Sequence, residues 1–510
     1  MAGSWRIGRP LLGDLVSWHQ PIGFLRSVAY AALAFALTAL IAPRSLVADG
    51  TEIKDDHAVI SLELAMVRAY CGRMSFYSHA GQIAEQLQRD MSQRHTRLRE
   101  VIIARAGSME EYCRQAEWPR VNNEHSLMLL ETALLRVRPD MSLAELGQWL
   151  HSIRVAGIVV FVILLLNLGA SFWLALGTMF AGLVVLGAMP PFVYSVYPFL
   201  FVLVLLVVSA HGFALLHLRT TRFAAWVAVA VAIGALSAFT VNMRTSYLPI
   251  VSMCFAGSLL ARWWVRPVAV ARKREIVNVI ALILCFALGY VTFERSLITR
   301  YLPEAGKVGA SHSIVHPLVL ALGVPETAFS RELDIRWEDA VGPAKARSID
   351  PDTDYLGPRY NRALGRYYRD LWETRTGEML QVYRTKFAIS GSEMFKTLRG
   401  SPGRAGLAIN VLLAPLDWMV RVVWLAVLYA AMTAICVAVY LRRRSAAAFV
   451  VGLLCAAACL LQIESGIVYS LFVQQYHNYA SFFAMFISLV GVQVIVNWVY
   501  ARAGRASEPA

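Results

Sequence analysis

Apolar runs of 18 or more residues recur along this 510-residue chain, and that length decides what it can fold into. A hydrocarbon core about 30 Å thick needs roughly 20 apolar residues of helix to cross it. Only helices and closed barrels satisfy their own backbone there. Charged residues make up 16% and hydrophobic residues 57% of the chain, with a mean hydropathy of +0.53. A soluble domain carries about a quarter charged residues, so a soluble enzyme is excluded, as are disordered and fibrous chains. The sequence predicts an all-α polytopic membrane protein of about ten transmembrane helices.

The first span is expected within 27–48, its apolar run covering Val28 to Val47, after a polar, Arg-bearing segment 1–26. That order reads as an uncleaved first helix rather than a secretory signal. A hydrophilic, mostly helical segment fills 49–153. Spans two to seven fall within 154–293, at 155–171, 173–189, 197–216, 223–241, 247–264 and 277–293. The first two of these are joined tightly at Asn167-Leu168-Gly169. A second hydrophilic segment covers 294–418, spans eight to ten lie within 419–500, and 501–510 forms a tail.

The net charge of +14 reads as positive-inside bias rather than as a nucleic-acid footprint. Only six residues are Lys, so Arg, the better bidentate phosphate ligand, supplies most of the positive charge. The short loops carrying Arg219, Arg222, Arg262–Arg274 and Arg442–Arg444 share one side with both termini, and only Arg244 stands opposite. Both termini are therefore expected in the cytoplasm, with both long segments in a periplasm-like space. Five of the seven cysteines lie in apolar runs. Cys71 and Cys113 share the first hydrophilic segment, where a disulfide or two free thiols are both open.

No nucleotide-binding loop, HExxH or GxSxG occurs, and no inverted repeat marks a secondary transporter. Chemistry is thus expected in the two hydrophilic segments. In the first, Arg120-Val121-Asn122-Asn123-Glu124-His125 precedes an apolar helical run. Asn123 caps the expected helix, and Glu124 with His125 forms a candidate general base. The competing reading is a solvated helix start.

In the second, His312 and His316 are spaced i, i+4, but Pro317 argues against a shared helical face for metal. Asp350–Asp354 starts like a Ca²⁺ loop without its Gly and closing Glu, so a polar turn is expected. Arg359, Tyr360 and Arg362 open an Arg/Tyr-rich stretch suited to phosphate or sugar, or to a solvated amphipathic helix. Glu464 lies deep in a span, and His477 sits in a short loop on the outer side.

With these features the chain resembles the bacterial GT-C class of integral-membrane glycosyltransferases, within a poorly characterised subgroup. The resemblance rests on the acidic helix start Asn123-Glu124-His125 and on the multi-spanning bundle. It rests too on His312–Gly323, Asp334–Asp339, Tyr360–Trp372, Thr374–Phe387 and Tyr476-His477. It implies a polyprenyl-phosphate-linked sugar donor and a glycan or glycolipid acceptor at the bilayer, with no nucleic-acid partner.

Inverting transfer by a carboxylate base is implied, with Glu124 and His125 catalytic. Asp49, Glu52, Asp55 and Asp56 are competing acids. Arg120, Asn123, Arg359, Tyr360, Arg362, His312, His316, Glu464 and His477 are the implied substrate contacts. No cofactor is demanded, although a divalent metal is compatible. The alternatives are an envelope polysaccharide polymerase or ligase, and a lipid or glycan transporter.

Overall fold

The computed structural model describes residues 22–46, 56–73, 76–77, 82–117, 125–187, 194, 197–217, 223–244, 247–264, 272–296, 315–353, 355, 358–393, 410, 414, 425–443, 446–467, 482–493, 496 and 499. These residues are almost wholly helical. The exception is a two-residue antiparallel pairing of β1 (Phe76–Tyr77) with β2 (Ala116–Glu117).

Three helices are long and apolar enough to cross a membrane: α1 (Phe24–Ile41), the apolar helix Leu143–Asn167, and the Ala446–Glu464 stretch of a late helix. Their length and apolar composition suit a helical membrane protein. α1 stops short of the expected Val47, because Pro43 follows its last turn and disfavours helix in the residue before it.

A compact helical unit follows. It comprises α2 (Asp56–Cys71), α3 (Gln82–Arg89), α4 (Leu98–Ala106), α5 (Met109–Arg114) and α6 (His125–Val137). α2 is buried continuously from Ser61 to Arg68 and packs along α6. A disulfide joins Cys71, ending α2, to Cys113 in α5, which resolves the alternative left open by the sequence.

The span expected from residue 155 starts twelve residues earlier, as α7 (Leu143–Asn167). Ser142 and Glu145 form a capping box there, satisfying two otherwise orphaned donors. Asn167 ends it, and Gly169 turns the chain with φ +99°, as a tight link requires. α1 and α7 run antiparallel, tied at both ends. Asn167 Nδ2 donates to the Ile22 carbonyl at 3.1 Å, and Gln148 Nε2 donates to the Leu46 carbonyl at 3.4 Å.

The bundle continues with α8 (Phe172–Gly187), α9 (Tyr197–His217), α10 (Phe223–Met243), α11 (Leu248–Trp264) and α12 (Arg272–Ser296). The second hydrophilic unit contains α13 (Val315–Leu320), α14 (Ala328–Glu332), α15 (Val341–Ile349), α16 (Pro358–Thr374) and α17 (Thr376–Glu393). The bundle closes with α18 (Leu425–Arg443), α19 (Ala446–Ile467) and the apolar helix α20 (Phe482–Gln493). α9 packs on α7, α10, α11 and α19, and α17 touches α19.

α10 and α12 approach closely enough for backbone to meet backbone. A Cβ on Gly234 would overlap the Phe286 carbonyl, and one on Gly289 would overlap the Val231 carbonyl. Reciprocal glycines let two backbones meet where lipid gives no hydrophobic drive for association. The opposite side of α12 exposes Val277, Ile280, Leu284, Leu288 and Val291. Gly234→Ala and Gly289→Ala are each expected to destabilise the protein by about 1–3 kcal/mol, the usual cost of overpacking. Gly491→Ala, whose Cβ would meet nothing within 4 Å, should be neutral. Thermal melting of the detergent-purified chain distinguishes these outcomes.

Candidate functional site

In the second hydrophilic unit the sequence period of α16 determines which groups meet. Tyr360, Ala363, Leu364 and Leu371 recur at helical spacing and are buried, while Arg359, Arg362, Arg366 and Arg369 form an exposed stripe. The Arg/Tyr-rich stretch is thus an amphipathic helix whose tyrosine and arginines serve different faces. Pro317 lies in the first turn of α13, where a missing N–H costs nothing, so the helix forms despite it. That turn buries His316 against Tyr360, bringing together two expected site residues from positions 44 apart in sequence.

Both ring nitrogens of His316 are engaged. Nδ1 pairs with the Tyr360 hydroxyl, and Nε2 lies 3.3 Å from Asp339 Oδ1. Burial raises the Tyr360 pKa above its ordinary value, so the phenol keeps its proton and donates to Nδ1. Nε2–H then donates to the carboxylate. Gly342, at the start of α15, sits against this pair. A Cβ there would collide with the Tyr360 hydroxyl and come within 2.6 Å of Nδ1. Tyr355 meets the His316 and Tyr360 rings at 6.2 and 5.5 Å.

Around this group the unit is fastened by charge. Arg375 forks onto Glu332 at 3.0 and 2.9 Å and reaches Glu378 at 2.8 Å. Lys386 is fully buried, and its Nζ donates to the Ala321 carbonyl at 3.0 Å. Burial pushes its pKa down to about 7. The Asp350 side chain accepts from Asp352 N at 3.3 Å, making the expected polar turn.

In the first unit, His125 opens α6 half-buried, and burial lowers its pKa. The positive end of the helix acts in the same direction, leaving a neutral imidazole able to take a proton. Two carboxyls not anticipated from the sequence are fully buried nearby. Glu63 accepts from Tyr112 OH at 3.0 Å and Ala84 N at 3.3 Å, and burial pushes it up to about 7. Glu131 accepts from Ser61 Oγ at 3.0 Å. Burial pushes it up to about 8, against the opposing pull of Ser61 and the Arg154 guanidinium.

Arg120, Asn123, Glu124, His312 and His477 lie outside the described residues, as do Asp49, Glu52 and Asp55. Glu464 is half-buried near the end of α19. Arg359 and Arg362 are exposed on the face of α16 away from Tyr360. Asp339 belongs to the Asp334–Asp339 segment that carried the resemblance, which is the one sequence signal that pointed to it. Comparison with protein families, with curated proteins and with solved structures finds no match.

The buried carboxyls generate a pH dependence. Between about pH 4.5 and 7–8 the folded chain holds protons on Glu63 and Glu131 that the unfolded chain releases. Their contribution is most favourable at acid pH and falls by about 1.4 kcal/mol per pH unit for each group as pH rises through that window. Glu131→Gln should flatten the dependence of melting temperature on pH between 5 and 8. An unchanged slope would refute the buried neutral form.

Proposed function

We propose that the protein is a membrane glycosyltransferase of GT-C type. It moves a sugar from a polyprenyl-phosphate donor to a lipid-linked or cell-envelope glycan on the periplasmic side of a bacterial inner membrane. The observation that carries this reading is the second hydrophilic unit. It presents a carboxylate held by buried groups together with a stripe of four arginines, and it touches the bundle through α17 and α19. Acceptor-hydroxyl chemistry and phosphate chemistry both need such groups at a membrane face.

Nine apolar helices among the described residues (α1, α7–α11 and α18–α20), with α12 counted beside them, are the basis for proposing ten spans with both termini cytoplasmic. The Cys71–Cys113 disulfide supports an oxidising compartment for the first unit.

In this reading the Glu124 carboxylate, beside His125, takes the proton of the acceptor hydroxyl. The hydroxyl oxygen attacks the anomeric carbon, the bond to the phosphate oxygen breaks, and configuration inverts. Guanidiniums, with Arg120, Arg359 and Arg362 as candidates, stabilise the departing polyprenyl phosphate. No step requires a metal. The Arg stripe also favours a second reading, an envelope polysaccharide polymerase or ligase that acts through the second unit without Glu124.

The test is the envelope glycan profile of a deletion strain and its rescues, read by mass spectrometry. The deletion should lose one sugar unit, restored by wild type but not by equally expressed Glu124→Gln, for which a rate loss of about 10²–10⁴ is expected. Full rescue by Glu124→Gln with failure of Arg359→Gln/Arg362→Gln would favour the polymerase or ligase. An unchanged profile in the deletion itself would refute both readings.

A further inference from the structure

The open end of the His316 group is a carboxylate. The Asp339 side chain is 76% exposed, yet it is held by an imidazole whose side chain is only 4% exposed. Behind that imidazole stands the fully buried Tyr360, and beside both stands a glycine that tolerates no Cβ. In a dyad that moves protons through histidine, the carboxylate is buried and the imidazole faces substrate. Here the order is reversed, so the histidine positions the acid and the acid faces outward. A surface carboxylate gains little stability from being fixed in one orientation. A ligand that must be received in one orientation does gain from it.

The neighbouring groups indicate the ligand class. Tyr355 is 42% exposed and is anchored edge-on against the His316 and Tyr360 rings. The Asp339 charge adds to burial in raising the Tyr355 pKa, which keeps its hydroxyl protonated as a donor. Trp337, two residues before Asp339, is 38% exposed. Arg336 is taken up by Asp334 at 3.3 Å and Glu338 at 3.8 Å.

A fixed carboxylate has acceptor sites on both oxygens and suits a pair of vicinal hydroxyl donors. A rigid aromatic with a polar tip beside it suits the C–H face of the same ring while keeping a hydrogen bond to water or ligand. We infer that Asp339 and Tyr355 form a saccharide-binding subsite for an uncharged pyranose bearing a vicinal diol, with His316 and Tyr360 as positioning residues. The assignment of that pyranose to the acceptor glycan rests on the glycosyltransferase reading.

The experiment is saturation-transfer difference NMR on the full chain in lipid nanodiscs. The probes are the methyl glycosides of mannose, galactose and glucose, which carry no phosphate and undergo no transfer. At least one should receive saturation on its ring protons. Asp339→Asn and Tyr355→Ala should weaken its binding by about tenfold, the loss of roughly one good contact. Asp334→Asn, at an exposed acid on the same segment, should retain binding. Absence of transfer to all three probes, or equal binding by wild type and Asp339→Asn, would overturn the subsite. Glycoside binding alongside an unaltered glycan profile in the deletion strain would leave the subsite standing and remove the transferase reading. The converse pair of results would do the opposite.

Discussion

Helix α7 is the member on which the other parts depend. Its capping box at Ser142 and Glu145 fixes where it begins, and the Tyr194 hydroxyl donates to the Leu143 carbonyl at 2.8 Å. Leu98 N donates to the Met141 carbonyl, fastening α4 just before it. At Arg154 it buries a guanidinium whose Cζ lies 4.0 Å from the Phe199 ring centroid. A desolvated cation over an aromatic face is one of the few inexpensive ways to hold such a charge inside a protein. The same guanidinium acts on Glu131 in the first hydrophilic unit. One helix therefore orders α1, the first unit and α9 together.

Hydropathy made most of the bundle's helices legible, three of them long and apolar enough to cross lipid. It failed at the start of α7. Gln148, His151 and Arg154 interrupt the apolar run there, although the Ser142–Glu145 spacing was already a helix-start signal. The amphipathic character of α16 was also readable, since its arginines and buried residues alternate at helical spacing. The pairing of His316 with Tyr360 was not. It joins residues far apart in sequence and depends on Gly342 having no side chain, which local patterning does not encode. Glu63 and Glu131 were missed because carboxylates in a hydrophilic segment are ordinarily solvated.

The acids of the two units show how environment assigns different roles to the same chemistry. Glu63 and Glu131 are enclosed and stay protonated into the neutral range. Asp339 is largely exposed, with the buried His316 imidazole behind it. Enclosure makes a carboxyl a neutral packing group, while exposure with a fixed orientation makes it an acceptor aimed outward.

The Cys71–Cys113 bond has a consequence for how the chain matures. It joins positions 42 apart, and closing a loop of that size removes about 4 kcal/mol of unfolded-chain entropy in the chain-entropy account. In a reducing compartment the first unit lacks that contribution, and α2 is left with two buried carboxyls that resist ionisation around it. The rigidity of this unit is thus a gauge of the redox environment that its chain has reached.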